Sequence, residues 1–229
     1  MELPLPLAGV RVIELGTVIA GPFAGSLLAD LGAEVIKVEP PGKGDVQRAG
    51  GHQKNGVGLW WGVASRDKKC ITLDLKHPDG KKLFEALLRT ADVLVENYRP
   101  GVLDRLGFGW NDVHAMNPRL VMLSISGYGR TGPAAARPGF GKIAEALSGI
   151  VSLTGSPDDR PLFVGYSLAD TSTGMFGVLG VVLALYHRDA QGGDGSHVDA
   201  ALYEGLLRML DCQFAVAAHS GRAAERAGT

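Results

Sequence analysis

Short apolar runs alternate with longer amphipathic stretches through the first half of this chain, and that alternation sets the expected fold. Val10–Leu15 (VRVIEL) reads as a strand bounded by Gly9 and Gly16. Ala20–Leu31 follows as a helix, with Pro22 in the first turn, where a missing N–H costs little, and Gly32 as its stop. Val35–Val38 is a second strand, closed by Pro40-Pro41-Gly42. A strand, a helix and a strand within about 30 residues make a βαβ unit, which requires a parallel sheet and a right-handed crossover.

Gly42–Asp67 is rich in loop residues and carries Trp60-Trp61. Cys70–Leu75 alternates like a strand, and Asp79–Thr90 is an amphipathic helix opened by Pro78. Val93–Glu96 and Leu120–Ile125 are further strands, separated by two short helices at Val102–Leu106 and Trp110–Met116. The pattern predicts an α/β fold, a Rossmann-like open parallel sheet with flanking helices. Beyond Gly127 the texture changes. Gly127–Gly141 reads as a surface loop, Ile143–Val151 as a helix, and Ser156–Asp159 as a turn. A long helix runs from Asp170 to about Arg188, built on the apolar stretch Met175–Tyr186. The Gly-rich turn Gln191–Gly195 leads to a short strand, His197–Asp199, and a final helix, Leu202–Ala218.

Composition narrows the function classes. At 229 residues, with 45% hydrophobic and 21% charged residues, the chain is that of an ordinary globular protein. Twenty-three basic and 24 acidic residues leave a net charge of −1, so no global field draws nucleic acid or an anionic membrane. The two cysteines, Cys70 and Cys212, lie outside any CxxC pattern and are expected to be core thiols in a reducing, cytoplasmic compartment. The N-terminus shows no charged leader followed by an apolar stretch, and the 12 residues of Met175–Tyr186 are too few to span a bilayer.

Common site motifs fail in turn. The glycines after the first strand, Gly16, Gly21 and Gly25, do not make GxGxxG, although Glu39 ends the second strand where a ribose-binding acid would stand. Neither GxxxxGK[ST] nor GxSxG occurs. The histidines His52, His77, His114, His187, His197 and His219 never fall at metal-ligand spacing, so no metal is expected and each reads as a surface or helix-end residue. Asp170 has two readings. It can cap the helix that follows, since Asp, Ser and Thr satisfy the free N–H groups of a first turn. Alternatively, the same N–H groups and the helix dipole can hold an ionised carboxylate ready to react.

A series of blocks decides between them. They are Ala20-Gly21-Pro22-Phe23, Leu28 to Glu39 (LADLGAEVIKVE), Gly44-Asp45 with Arg48, Leu73-Asp74-Leu75-Lys76, and Ala91 to Gly101 (ADVLVENYRPG). Asn117-Pro118-Arg119, Ser124 to Gly129 (SISGYG), Gly132-Pro133, Leu147-Ser148-Gly149, Ala169-Asp170 with Gly174, and Gly195 follow in order. Together they resemble the class III CoA-transferases, the family of formyl-CoA transferase, carnitine CoA-transferases and alpha-methylacyl-CoA racemase. The resemblance implies that Asp170 is a nucleophile that attacks an acyl-CoA thioester, passing through an acyl–aspartyl anhydride and an aspartyl–CoA thioester. It also implies a CoA site at the carboxyl edge of the sheet. Its positions carry over to Ile19 and Ala20, Leu73, Asp74, Leu75 and Lys76, Asn97, Tyr98 and Arg99, Arg105, and Pro138, Gly139, Phe140 and Gly141. Lys76, Arg99 and Arg105 are candidates for the CoA phosphates, and Tyr98 for the adenine. CoA and acyl-CoA would be substrates, with no resident cofactor. The partners would be a carboxylic acid and a second copy of the chain in an interlocked homodimer.

The departures also carry information. The family's racemases use a His-Asp pair where this chain has Phe140-Gly141, which cannot exchange a proton, so transfer is favoured over an acyl-CoA racemase or epimerase. Ile19 stands where the oxalate enzyme has a glutamine, which favours a larger or less polar acid, and Pro40 replaces a basic CoA contact. Family members are longer. Residues 1–200 would then form the CoA-binding domain, and 201–229 a helix and linker toward a small domain. The remaining alternative is a truncated, non-catalytic CoA-binding or dimerisation module.

Overall fold

A computed structural model describes residues 4–228. The strands are β1 (Arg11–Glu14), β2 (Glu34–Glu39), β3 (Gln53–Lys54), β4 (Val57–Gly58), β5 (Lys68–Thr72), β6 (Val93–Glu96), β7 (Val121–Ser126) and β8 (His197–Ala201). The helices are α1 (Ala20–Asp30), α2 (Leu59–Ala64), α3 (Pro78–Leu88), α4 (Val102–Leu106), α5 (Trp110–Met116), α6 (Gly141–Ser148), α7 (Ile150–Leu153), α8 (Leu168–Ala190), α9 (Glu204–Met209) and α10 (Asp211–Ser220). Six strands pair in parallel in the order β5-β2-β1-β6-β7-β8, while β3 and β4 form a separate hairpin. The chain therefore winds outward from β1 in one direction, then returns to β6 and winds outward in the other. The reversal leaves a crevice between the carboxyl ends of β1 and β6, where open α/β sheets bind ligands.

Strand periodicity divides the core in two. Val12, Val93, Val95, Val121, Leu123 and Ile125 face one side, packed beneath α1, α8 and α9. Ile13, Leu94 and Met122 alternate with them and face α3, α4 and α5 through Phe84, Leu88, Leu103 and Val113. Both faces are covered, which is why these strands read as nearly continuous apolar runs.

Several boundaries differ from the sequence pattern. The fifth strand is Lys68–Thr72 rather than Cys70–Leu75, because the Lys68 ammonium is turned inward to Glu14 Oε2 at 2.7 Å. The stretch read as loop, Gly42–Asp67, contains a 3-10 turn at Val46–Ala49, the β3–β4 hairpin and α2. The helix expected over Ile143–Val151 breaks at Gly149 (φ 89°), and that expected over Leu202–Ala218 breaks at Leu210. Cys70 and Cys212 are exposed, not core thiols. Cys70 belongs to an edge strand, and α10, which carries Cys212, buries none of its residues. At 23 residues, α8 is long and apolar enough to cross a membrane, contrary to the 12-residue expectation. Half of its most apolar window is buried in this chain's own fold.

Candidate active site

The β1–α1 loop forms the floor of the crevice and is held from two sides. Asn97, just beyond β6, donates from Nδ2 to Thr17 O and accepts from Thr17 N on Oδ1, both at 2.8 Å. From beneath, the wholly buried Lys37 ammonium reaches Gly16 O at 2.6 Å, Glu14 Oε1 at 2.8 Å and Asp45 Oδ2 at 3.0 Å. Lys68 binds Pro22 O at 2.7 Å on the far side of the loop. Two ammonium groups and two carboxylates so confined neutralise one another; removing any one would leave a buried charge. The clamp holds Val18 at φ 64°, a strained value for a β-branched residue.

A cavity of about 300 Å³ opens beside this loop, lined by Thr17, Pro40, Leu73–Lys76, Tyr98 and α4. Five residues expected to bind CoA, Leu73, Asp74, Leu75, Lys76 and Tyr98, thus meet at one place. β5 ends at Thr72 and Leu73 N still bonds Glu39 O at 3.0 Å, so the chain leaves the sheet edge from Asp74. Lys76, Arg99 and Arg105 are exposed and, among the described residues, make no ion pair. Arg105 rises from α4, whose Val102 and Leu106 line the cavity, and Arg99 follows Tyr98 directly. Lys76 in the lining, with Arg99 and Arg105 next to lining residues, gives an anionic ligand unpaired cations near the cavity, although Asp74 also lines it. Glu39 does not act as a ribose-binding acid. Its carboxylate is taken by Arg48, in two 2.7 Å hydrogen bonds, and by Asp45 N.

Asp170 stands apart from that cavity. It is the third residue of α8, not its cap; the N-cap is Ser167, whose side chain makes no capping bond. The helix begins earlier than the apolar run suggested because Leu168 and Ala169 already pack into the core. Gly174, one turn on, lies against Ala20 O and Phe23, so α8 meets the start of α1, where Ile19 and Ala20 sit. Gly141 lies directly against the Asp170 carboxylate, where a Cβ would overlap Oδ2. Pro138, Gly139 and Phe140 lead into that contact, with Gly139 folded over Gly127 at the end of β7 and Phe140 63% exposed.

The Asp170 carboxylate is half-buried and, among the described residues, makes no ion pair and no hydrogen bond to another side chain. Burial, and after it the Glu145 carboxylate, raise its pKa to about 6, against its own backbone N–H and Lys142, which lower it. Desolvation therefore outweighs the field of the helix start, which alone would depress it. At neutral pH the group is still mainly ionised.

The expected residues fall into two groups joined by the β1–α1 loop. Leu73–Lys76 and Tyr98 line the cavity, with Arg99 and Arg105 adjacent in sequence to lining residues; Ile19, Ala20, Gly139–Gly141 and Asp170 gather at the start of α8. Asn97 holds the loop between the two groups, its amide donating to Thr17 O and accepting from Thr17 N. Sequence reasoning missed Lys142 and Glu145, which lie in α6 within a stretch whose Leu147-Ser148-Gly149 block alone had been matched. Their three-residue spacing on a helix was the available signal. It also missed His197, which is no surface group: Nε2 lies 2.9 Å from Ser124 Oγ and its ring stacks on Trp110.

The fold defines an open, parallel α/β domain with both faces covered by helices, and comparison with known proteins gives its family. The model of CoA-transferase family III matches residues 7–229, and the chain belongs to that family. It is 47% identical over 226 residues to the succinyl-CoA–D-citramalate CoA-transferase of Chloroflexus aurantiacus, covering 98% of this chain and 56% of that one. It is 42% identical over 224 residues to the acetyl-CoA:oxalate CoA-transferase of Acetobacter aceti, covering 97% and 57%. The crystal structure of a CaiB/BaiF family protein from Brucella suis superposes with a TM-score of 0.92 at 38% identity, over 98% of this chain and 60% of that one. The chain thus spans just over half the length of the curated relatives it matches.

Proposed function

We propose that the protein carrying this chain transfers CoA from an acyl-CoA donor to a carboxylic acid, with Asp170 as the covalent intermediary. Asp170 attacks the thioester carbonyl, the C–S bond breaks, and an acyl–aspartyl anhydride and CoA thiolate result. The thiolate then attacks the aspartyl carbonyl, releasing the donor acid and leaving an aspartyl–CoA thioester. The acceptor carboxylate attacks that thioester, forming a second anhydride and freeing the thiolate. The thiolate then takes the acceptor acyl group and regenerates Asp170. The net reaction exchanges one CoA thioester for another, so no external energy source enters.

The observation that carries this reading is the state of Asp170: accessible, without a counterion, and with a pKa near 6. A carboxylate more basic than usual is a better nucleophile, yet near neutrality it is still charged. Phe140 and Gly141 supply no acid or base, which disfavours the racemase alternative. The names of the relatives, citramalate, oxalate and succinyl-CoA among them, support a dicarboxylic acid as one partner. The cavity under Tyr98 and its three cations support the nucleotide end of CoA. We assign the chain through Leu210 to the CoA-binding domain, past the expected boundary at residue 200, because Ala201 ends β8 and Leu202, Leu206 and Leu210 are buried; α10, which has no buried residue, leads away from it. A homodimer is part of the proposal; Met175, Leu179, Leu183 and Tyr186 leave one face of α8 exposed.

The test uses the full-length protein with an acyl-CoA donor and a panel of dicarboxylic acids. Asp170→Ala is expected to lower transfer by at least about 10³-fold, the scale of losing a group on which chemistry depends. Hydroxylamine added during turnover should label the peptide containing Asp170. Full transfer by the alanine variant would sink the mechanism.

A further inference from the structure

Lys142 and Glu145 face each other across one turn of α6. Lys142 Nζ lies 2.8 Å from Glu145 Oε2 and 3.2 Å from Oε1. The Glu145 side chain is wholly buried, whereas 42% of the Lys142 side chain is exposed. The same ammonium donates to Tyr166 O at 3.0 Å and Val164 O at 3.2 Å, and it lies over the Phe163 ring. Tyr166 O also accepts from Leu168 N, at the first residue of α8. One cation therefore ties α6 to the strap that delivers Asp170. A buried carboxylate is a costly way to fill the inner face of a short helix, since an apolar side chain would avoid desolvation altogether. Its placement needs another reason.

We infer that Lys142 and Glu145 are a positioning pair for Asp170, Lys142 fixing the strap that sets where the carboxylate stands and Glu145 supplying the charge it works against. This rests on Asp170 being the nucleophile of the proposed reaction. Gly141, the first residue of α6, lies against Asp170 Oδ2, and Lys142 and Glu145 follow it within the next turn of the same helix; from α6 these are the charged groups that act on Asp170. Among the described residues, the other elements packed on α8 turn no charged group to Asp170. At Gly174, α1 presents Ala20 and Phe23, β7 presents Leu123 at Gly177, and β8 presents Val198 at Gly180. Asp199 of β8 is turned to Arg130 N, Glu204 of α9 takes the Ala201 N–H, and Arg208 of α9 is paired with Asp211. Burial and then the like charge oppose ionisation and keep the nucleophile basic, while the Lys142 ammonium acts in the opposite direction.

The test is the pH profile of kcat/KM in the full-length protein, with active sites counted by hydroxylamine labelling. Glu145→Gln, nearly isosteric, is expected to move the acid limb down by about half a pH unit or more as the like charge disappears. Lys142→Met is expected to lower kcat per labelled site by about tenfold or more as the strap loosens, and Lys142→Arg to restore most of it. A merely structural role would reduce the number of active sites and leave the limb and the per-site kcat where they were. An unmoved limb in E145Q, or an unchanged per-site kcat in K142M, overturns the inference. Full activity in D170A would instead overturn the reaction on which it rests, so the two failures are distinguishable.

Discussion

Asp170 is destabilising in the form in which it would react. Its carboxyl titrates near 3.8 in an unfolded chain and at about 6 in the fold. Between those values the folded state holds more protons than the unfolded one, so stability falls as pH rises through that window and the loss is complete above it. The ionised group then costs about 2 kcal/mol, after allowance for its partial contact with solvent. Asp170→Asn is therefore expected to melt at a higher temperature than the parent at pH 7.5, with the gap closing below about pH 4. Thermal unfolding at a series of pH values measures this directly, and a gap independent of pH would contradict it. The same residue shows a limit of sequence reading. Its octapeptide suggested a cap; its ionisation depends first on its burial and then on Glu145, brought near by a second helix that no local pattern around Asp170 could reveal.

At the scale of elements, the β1–α1 loop is where the fold becomes a site. Its backbone is fixed by an amide 80 residues away and by two buried ammonium groups. Asn97→Ala would orphan both polar groups of Thr17 and is expected to cost about 1–3 kcal/mol. Because Val18 is held strained by that clamp, the loop should relax and CoA binding weaken, while CoA itself would partly restore the melting temperature. Calorimetric titration with CoA and thermal unfolding check both; undiminished affinity in N97A would show that the loop does not need its clamp. The parallel strands were legible because each is buried on both faces, leaving uninterrupted apolar runs such as Val93–Val95 and Val121–Leu123. The breaks were not. Gly149 and Leu210 interrupt patterns that remain periodic across them, and β5 is displaced by an ion pair between Lys68 and Glu14, a contact of long sequence separation. Asn97 was legible as a member of the site and illegible in its role, since only the folded chain shows both ends of the amide occupied.

The molecule as a whole is nearly neutral, with a net charge of −1, and offers a highly anionic ligand no long-range attraction. Whatever draws the phosphates must then be local. Lys76 lines the cavity, Arg99 follows Tyr98 and Arg105 lies on α4; all three are exposed and, among the described residues, form no ion pairs, whereas other cations are committed: Lys37 and Lys68 to Glu14, Arg48 to Glu39, Arg130 to Glu96 and Asp104, Arg188 to Asp92 and Asp189. Uncommitted surface charges contribute little to stability, so neutralising them should spare the fold. Replacing all three with glutamine is expected to weaken CoA binding by about 10- to 100-fold at low ionic strength, each charge-assisted contact contributing on the order of 1 kcal/mol. Salt should weaken the parent's binding steeply and that of the triple variant hardly at all, because screening acts on the charges that have been removed. Titration calorimetry from about 20 to 500 mM salt, a range across which the Debye length falls several-fold, tests this. Parallel salt dependences for parent and variant would place the phosphates elsewhere on the molecule.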